Sequence, residues 1–142
     1  MDRFNEGWQH LFFHAHGNTT ILGIESGSFG VADAISLDHR TDIVYTTACL
    51  TGHFDGNTAE PCLSEAFLRN GDGGAVVYIG CSRFGWHSPD EPPASNTSIG
   101  GSSNDYAYEF YQALFQNNVR IAGEAFTQHK ANLSGSCHTY NS

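Results

Sequence analysis

Two residues of this 142-residue chain have the chemistry to break an acyl bond between them. Cys49 closes the run Thr46-Thr47-Ala48, and His16 stands in the sequence His14-Ala15-His16-Gly17. A cysteine thiolate is a strong nucleophile, and a neighbouring imidazole can take its proton or hand one to a leaving amine. Gly17 has no side chain to shield its backbone N–H. That N–H and the N–H of Cys49 could receive a carbonyl oxygen as it becomes an oxyanion, an interaction typically worth a few kcal/mol in a transition state. Taken as residue types alone, the pair reads equally well as a small core cysteine and a loop histidine.

Other constellations are thinner. His10, His14 and His16 alternate, so they share one face of a strand, and His53 and Asp55 follow Cys49 closely. Two such imidazoles with a third ligand could hold zinc and activate water. No downstream His or Asp set has a recognisable ligand spacing, and the reading adopted needs no metal and no cofactor. Ser28, in Glu25-Ser-Gly-Ser-Phe-Gly30, lacks the first glycine of a nucleophile elbow and the strand before it. The four cysteines, Cys49, Cys62, Cys81 and Cys137, contain no Cys-x-x-Cys pair, which excludes zinc-ribbon and thioredoxin-type motifs. Cys62 reads as buried and inert, and Cys81 as either buried or close to the site.

Composition narrows the partners. The formal net charge is −9, from 15 acidic against 6 basic side chains, with no basic cluster to grip phosphates. Nucleic acid is therefore a poor partner. No apolar run approaches the roughly 20 residues that span a bilayer, and the polar start does not resemble a signal peptide. At 39% hydrophobic and 15% charged residues, with 10 phenylalanines, the chain can bury a core of its own.

The elements that must position Cys49 and His16 follow from pattern. His10–Ala15 reads as a strand, aromatic-rich and halted by Gly17. A Gly/Ser/Thr-rich loop is expected to about Gly30, then a short helix over Val31–Leu37. Asp42–Ala48 reads as a strand buried on both faces, as in a parallel sheet. Pro61–Arg69 suits a helix, with proline in its first turn. Ala75–Gly80 is a third strand, followed by a long loop over Cys81–Ser103. Asp105–Gln116 and Ile121–Leu133 read as helices, with Tyr108, Tyr111 and Phe115 as core residues. Strands alternating with helices predict an α/β fold around a parallel sheet. In such sheets ligands gather at the carboxyl ends of the strands, where His16 and Cys49 both lie. A helical crossover between their strands makes those strands parallel, so the two residues can meet although 33 positions separate them.

The stretches Phe13–Gly17 (FHAHG), Asp42–Asp55 (DIVYTTACLTGHFD), Pro61–Trp86 (PCLSEAFLRNGDGGAVVYIGCSRFGW) and Tyr108–Phe115 (YEFYQALF) resemble, in order, the gingipain-type cysteine peptidases of family C25, within the caspase-like clan. In that family one strand ends in His-Gly and the next ends in Ala-Cys. A helix and a Gly-Ala strand then lead to a loop bearing aromatics. The resemblance implies a caspase-like three-layer sandwich with a mostly parallel sheet. It also implies a cysteine endopeptidase acting on protein or peptide, with His16 and Cys49 catalytic and the amides of Gly17 and Cys49 as oxyanion hole. Phe84 and Trp86 would wall the pocket for the side chain preceding the cut bond. Secretion or a periplasmic location is implied by the resemblance alone.

Two strands and their helices normally precede the histidine strand in this family, and only about ten residues do so here. The expectation is therefore the C-terminal portion of a catalytic domain over residues 1–133, with a loose tail over 134–142. The part beyond would supply a carboxylate that orients the histidine and the residue that selects the substrate side chain. An open sheet edge would then invite that missing N-terminal half, or a second copy of the chain, to pair. The alternative reading is an inactive or incomplete peptidase-like module acting in protein binding, with Phe84–Trp86 as its contact patch.

Overall fold

The computed structural model describes residues 2–25, 27–56, 59–86 and 102–133. The chain divides into two compact units, Met1–Gly85 and Trp86–Ser142. In the first, a 3-10 turn at Asp2–Asn5 precedes β1 (His10–Phe13), β2 (Ile21–Ile24), β3 (Gly27–Gly30) and α1 (Val31–Ile35). Then come β4 (Arg40–Thr46), α2 (Leu63–Arg69) and β5 (Gly74–Ile79). The second unit carries α3 (Ser103–Phe115) and α4 (Ala122–Leu133). None of these helices is long and apolar enough to cross a membrane.

β1, β4 and β5 form a three-stranded sheet in that order, and both pairings are parallel. β4, rich in β-branched residues, takes the central place that its unbroken apolar and threonine run predicts, and Thr41, Val44 and Thr46 are almost fully buried. β1 and β5 are the edges of this sheet. The fold is mixed α/β with a mostly parallel sheet.

One sequence expectation is corrected. The stretch read as a loop up to Gly30 contains an antiparallel hairpin, β2 with β3. Its glycines mask strand propensity, because tertiary packing rather than local preference makes the strands. Leu22 and Phe29 face one another across the hairpin, and both are buried. Phe29 stacks on Phe67 of α2 with ring centroids 5.5 Å apart and meets Phe4 at 4.6 Å. Leu63, Val44 and Ala75 complete this core, and Leu11 and Phe13 of β1 pack against it.

Asn70 joins α1 to the start of β5. Its Nδ2 donates to the carbonyls of Ala34 and Leu37, and its Oδ1 accepts from the N–H groups of Asp72 and Gly73. All of its amide's polar atoms are thus engaged, which suits a half-buried site.

In the second unit, α3 begins with a reciprocal capping box. The Ser102 hydroxyl accepts from the Asp105 N–H at 3.3 Å, and the Asp105 carboxylate accepts from the Ser102 N–H at 3.1 Å. α3 packs on α4 through Ala107, Phe110 and Ala113, opposite Ala125, His129 and Leu133. Tyr108 and Phe115, expected in the core, are 37% and 65% exposed instead. The apolar stripe of α3 is wider than its buried seam. The small alanines at 107 and 113 allow close helix approach, so the seam runs through them and Phe110, and Tyr108 and Phe115 lie on the opposite side of the helix.

Candidate active site

The register of the sheet organises the site. β1 and β4 pair from His10 with Ile43 to Phe13 with Thr46. The ladder continues one step further: the Thr47 N–H donates to the Phe13 carbonyl at 3.0 Å, and His14 Nδ1 lies 3.1 Å from Thr47 Oγ1. His16 and Cys49 each follow the carboxyl end of their strand by three residues.

Past β1 the chain is folded back by Asn18. Its Oδ1 accepts from the N–H groups of Thr20 and Ile21, each at 2.9 Å, closing an Asx turn. The Asn18 N–H returns to the Ile21 carbonyl at 2.9 Å, and the Gly23 N–H bonds the His16 carbonyl at 2.9 Å. These bonds flank Gly17 in its bridge with Leu22, so the bridge does not consume the Gly17 N–H. A side chain at position 17 has no room. Its Cβ would stand 2.9 Å from the Ala48 Cβ and 3.0 Å from the Ile21 carbonyl oxygen. Gly17 is thereby packed against the residue that precedes Cys49.

The turn after β4 is equally constrained. Leu50 has φ of 60°, a left-handed conformation that branched and bulky residues rarely adopt, directly after Cys49. Its N–H donates to the Arg83 carbonyl at 2.8 Å, and the Gly52 N–H to the Cys81 carbonyl at 3.0 Å. The segment after β5 thus lies along the segment after β4. It brings Gly85 to the cysteine: the Gly85 N–H donates to Cys49 Sγ at 3.3 Å, and the Gly85 carbonyl oxygen lies 3.8 Å from the sulfur. The thiol is half-buried between backbone groups.

A bidentate ion pair fastens the two segments. Arg83 Nη1 and Nη2 meet Asp55 Oδ1 and Oδ2 at 3.0 and 2.8 Å, and His53 Nε2 is 3.5 Å from Asp55 Oδ1. The Arg83 guanidinium holds the Asp55 carboxyl down at about 2. On the inner side, the first turn of α2 ties both site loops to one helix. The Leu63 N–H donates to the Thr19 carbonyl at 2.8 Å, and the Ser64 N–H to the Thr51 carbonyl at 3.0 Å. Two of the amides that a helix start leaves unpaired are satisfied in this way. A third is met by Glu65, whose carboxylate accepts from the Cys62 N–H at 2.9 Å and is held below its ordinary range by that bond.

The remaining sequence candidates fall into place around this frame. Phe84 is exposed, between Arg83 and Gly85. Trp86 is also exposed and opens the second unit, where its N–H donates to Ser103 Oγ at 3.0 Å. The rest of the long loop, 87–101, and the expected tail lie outside the described residues, apart from Ser102 and Ser103 at the foot of α3. Cys62 is buried at the start of α2, its Sγ 3.1 Å from Ser64 Oγ. Cys81 is half-buried with its thiol 3.5 Å from the Thr47 carbonyl, on the strand edge that leads to Cys49. Among the described residues, no three His, Cys, Asp or Glu side chains stand close enough to hold a metal ion. Ser28 is exposed on β3.

Sequence reasoning passed over Asn18, Leu50 and the Asp55–Arg83 pair. Asn18 carries a local signal, since Asn before two threonines favours an Asx turn. The ion pair spans 28 positions and has none.

The model of peptidase family C25 matches residues 1–142. The chain belongs to peptidase family C25. Two solved structures share its fold. Gingipain R, described as an Arg-specific cysteine proteinase, is 20% identical with a TM-score of 0.72 over 97% of the chain. A structure described only as a protease is 24% identical with a TM-score of 0.54 over 60% of the chain. The chain spans 30% and 18% of the lengths of those two proteins. No curated protein matches it. The α/β fold with a mostly parallel sheet is that of the caspase-like gingipains.

Proposed function

We propose that this C25 chain carries the catalytic portion, within residues 1–133, of a cysteine endopeptidase that cuts protein or peptide substrates, with Cys49 as nucleophile and His16 as acid/base. What supports the proposal is the parallel pairing of β1 with β4 at an offset of 33 residues, the interval that also separates His16 from Cys49, each of which follows its strand by three residues. His16 takes the Cys49 thiol proton as the sulfur attacks the scissile carbonyl carbon, and the carbonyl π electrons move onto oxygen. The N–H groups of Gly17 and Cys49 receive that oxyanion. As the intermediate collapses, the C–N bond breaks and the His16 imidazolium protonates the departing amine. Water then attacks the thioester as His16 accepts its proton, the C–S bond breaks to free the acid, and His16 returns the proton to the Cys49 sulfur.

Phe84 and Trp86 are the proposed substrate contacts. The tight packing of Gly17 on Ala48 supports its oxyanion role, because it keeps Gly17 against the residue that precedes Cys49. Among the described residues β1 is an edge of the sheet, which supports pairing with a strand from outside this chain, either more of the same protein or a second copy.

The test is covalent. A peptide carrying a thiol-reactive acyloxymethyl ketone should label Cys49 in preference to Cys62, Cys81 and Cys137 in the full-length protein, and Cys49→Ala should abolish both labelling and peptide cleavage. Equal labelling of the four thiols in a folded protein would sink the assignment, leaving a peptidase-like module without the chemistry.

A further inference from the structure

Arg83 is bound to the turn after β4 at two points. Its carbonyl oxygen accepts from the N–H of Leu50, the residue after Cys49, at 2.8 Å. Its guanidinium meets both carboxylate oxygens of Asp55, at 3.0 and 2.8 Å. Asp55 is itself tied back toward Leu50 by a run of tight turns. The His53 N–H donates to the Leu50 carbonyl at 3.1 Å, the Phe54 N–H to the Gly52 carbonyl at 3.0 Å, and the Gly56 N–H to the His53 carbonyl at 3.3 Å. Both anchor points of Arg83 therefore belong to one self-bonded segment, and that segment starts directly after Cys49.

Two residues beyond Arg83, the Gly85 N–H donates to the Cys49 sulfur at 3.3 Å. Glycine loses more conformational freedom than other residues when it is fixed, so this contact depends on what holds the chain just before it. The backbone bonds to the turn, at the carbonyls of Cys81 and Arg83, both lie on the near side of Phe84. The ion pair adds a lateral attachment at Arg83, the last of these anchored residues. A bidentate guanidinium–carboxylate pair fixes orientation as well as distance, so it sets the direction in which the chain leaves Arg83. The Arg83 and Asp55 side chains are 61% and 50% exposed, and such pairs add little to global stability. The effect of this one falls on local geometry.

We infer that Asp55 and Arg83 are positioning residues for the nucleophile: their ion pair sets the course of the chain from Arg83 to Gly85 and so holds the Gly85 amide on the Cys49 thiol. The inference rests on Cys49 being the nucleophile and adds the pair that orients it.

The test uses the full-length protein and the variants Asp55→Asn, Arg83→Gln and the two together. Two second-order rates of Cys49 alkylation are measured, one with a peptide acyloxymethyl ketone and one with iodoacetamide, beside the thermal midpoint at neutral pH. Each single change should lower the peptide rate by about tenfold, since small misplacements at a reacting centre are felt on that scale or above. The iodoacetamide rate and the thermal midpoint should hardly move. The double variant should lose no more than either single one, because the two side chains act as a unit. An unchanged ratio of peptide to iodoacetamide rates in both single variants overturns the inference while leaving Cys49 as nucleophile. So do losses that multiply in the double variant, or a loss that merely follows the thermal midpoint. Failure of the peptide reagent to label Cys49 in the folded wild-type protein overturns the nucleophile assignment and the inference with it.

Discussion

The Gly85 N–H donates to the sulfur of Cys49 at 3.3 Å, across 36 positions of sequence. This contact exists because Leu50 and Gly52 dock their amides on the Arg83 and Cys81 carbonyls, so that the segment after β5 is laid over the turn after β4. The Cys49 thiol is therefore positioned by backbone from the segment after a second strand as well as by its own. If that contact orients the thiol, lengthening the loop by one glycine between Arg83 and Phe84 should slow Cys49 labelling by a peptide probe more than by iodoacetamide. A small alkylating agent needs no orientation relative to a bound carbonyl. Equal slowing by both reagents would count against it.

His16→Ala should lower turnover by about 10²–10⁴-fold, the usual span for a general acid/base. Reaction of the folded variant with a small alkylating agent should continue, because Cys49 keeps its surroundings on β4 and Gly85. A drop smaller than about tenfold, measured as kcat/KM on a peptide, would remove His16 from the acid/base role.

Gly17→Ala tests the close approach beside the site. The added Cβ would meet the Ala48 Cβ at 2.9 Å and the Ile21 carbonyl oxygen at 3.0 Å, and neither is the loose end of a flexible chain. The loop must shift, at a cost of about 1–3 kcal/mol for overpacking. The Gly17 amide would move with it, so cleavage should fall further than stability. A variant of unchanged thermal stability and unchanged kcat would show that position 17 has room after all.

The Asp55–Arg83 clasp sets a pH dependence in the acid range. The free carboxyl titrates at 3.8, and in the fold Arg83 lowers it to about 2. A depressed folded value means that the carboxylate favours the native state above the unfolded value, and that this contribution fades as pH falls from 3.8 toward about 2. Asp55→Asn should therefore flatten the acid limb of a stability profile between those values and leave the profile near neutrality almost unchanged, since the pair is exposed and such pairs contribute little. An acid limb identical to wild type would show that the clasp does not contribute.

How much of this was legible depended on the range of the force involved. β1, β4 and β5 were readable because β-branched and aromatic runs write their burial into local pattern, and the position of His16 and Cys49 at strand ends followed from that pattern. The hairpin β2–β3 was not, because its strands are held by Leu22 and Phe29 packing on distant residues while glycines lower their local preference. The same limit hid Arg83 and Asp55, whose attraction is decided by two loops meeting in space. Tyr108 and Phe115 misled for the opposite reason: their helical spacing is apolar, but the alanines on the other side of the helix permit the closer approach, so α4 packs there.

His129 offers a test within the second unit. It is 1% exposed and enclosed by the rings of Tyr106 at 5.4 Å, Phe110 at 6.0 Å and Phe126 at 4.8 Å. Burial lowers its titration below the ordinary 6.5, since a charged imidazole there would lose its water. The Ala125 backbone opposes this by hydrogen bonding, Lys130 on α4 pushes in the same direction as burial, and Glu109 of α3 and the Phe126 backbone oppose it more weakly. The unfolded chain thus binds a proton that the folded chain resists, so stability should rise with pH through this range. The contribution is complete above about 6.5 and declines as pH falls toward the lowered native value. Thermal unfolding followed from pH 7.5 to 5 should show a falling midpoint, and His129→Phe, which keeps a ring against its aromatic neighbours, should flatten that slope. A slope equal in the two proteins would mean that His129 takes up its proton without disturbing the packing of α3 on α4.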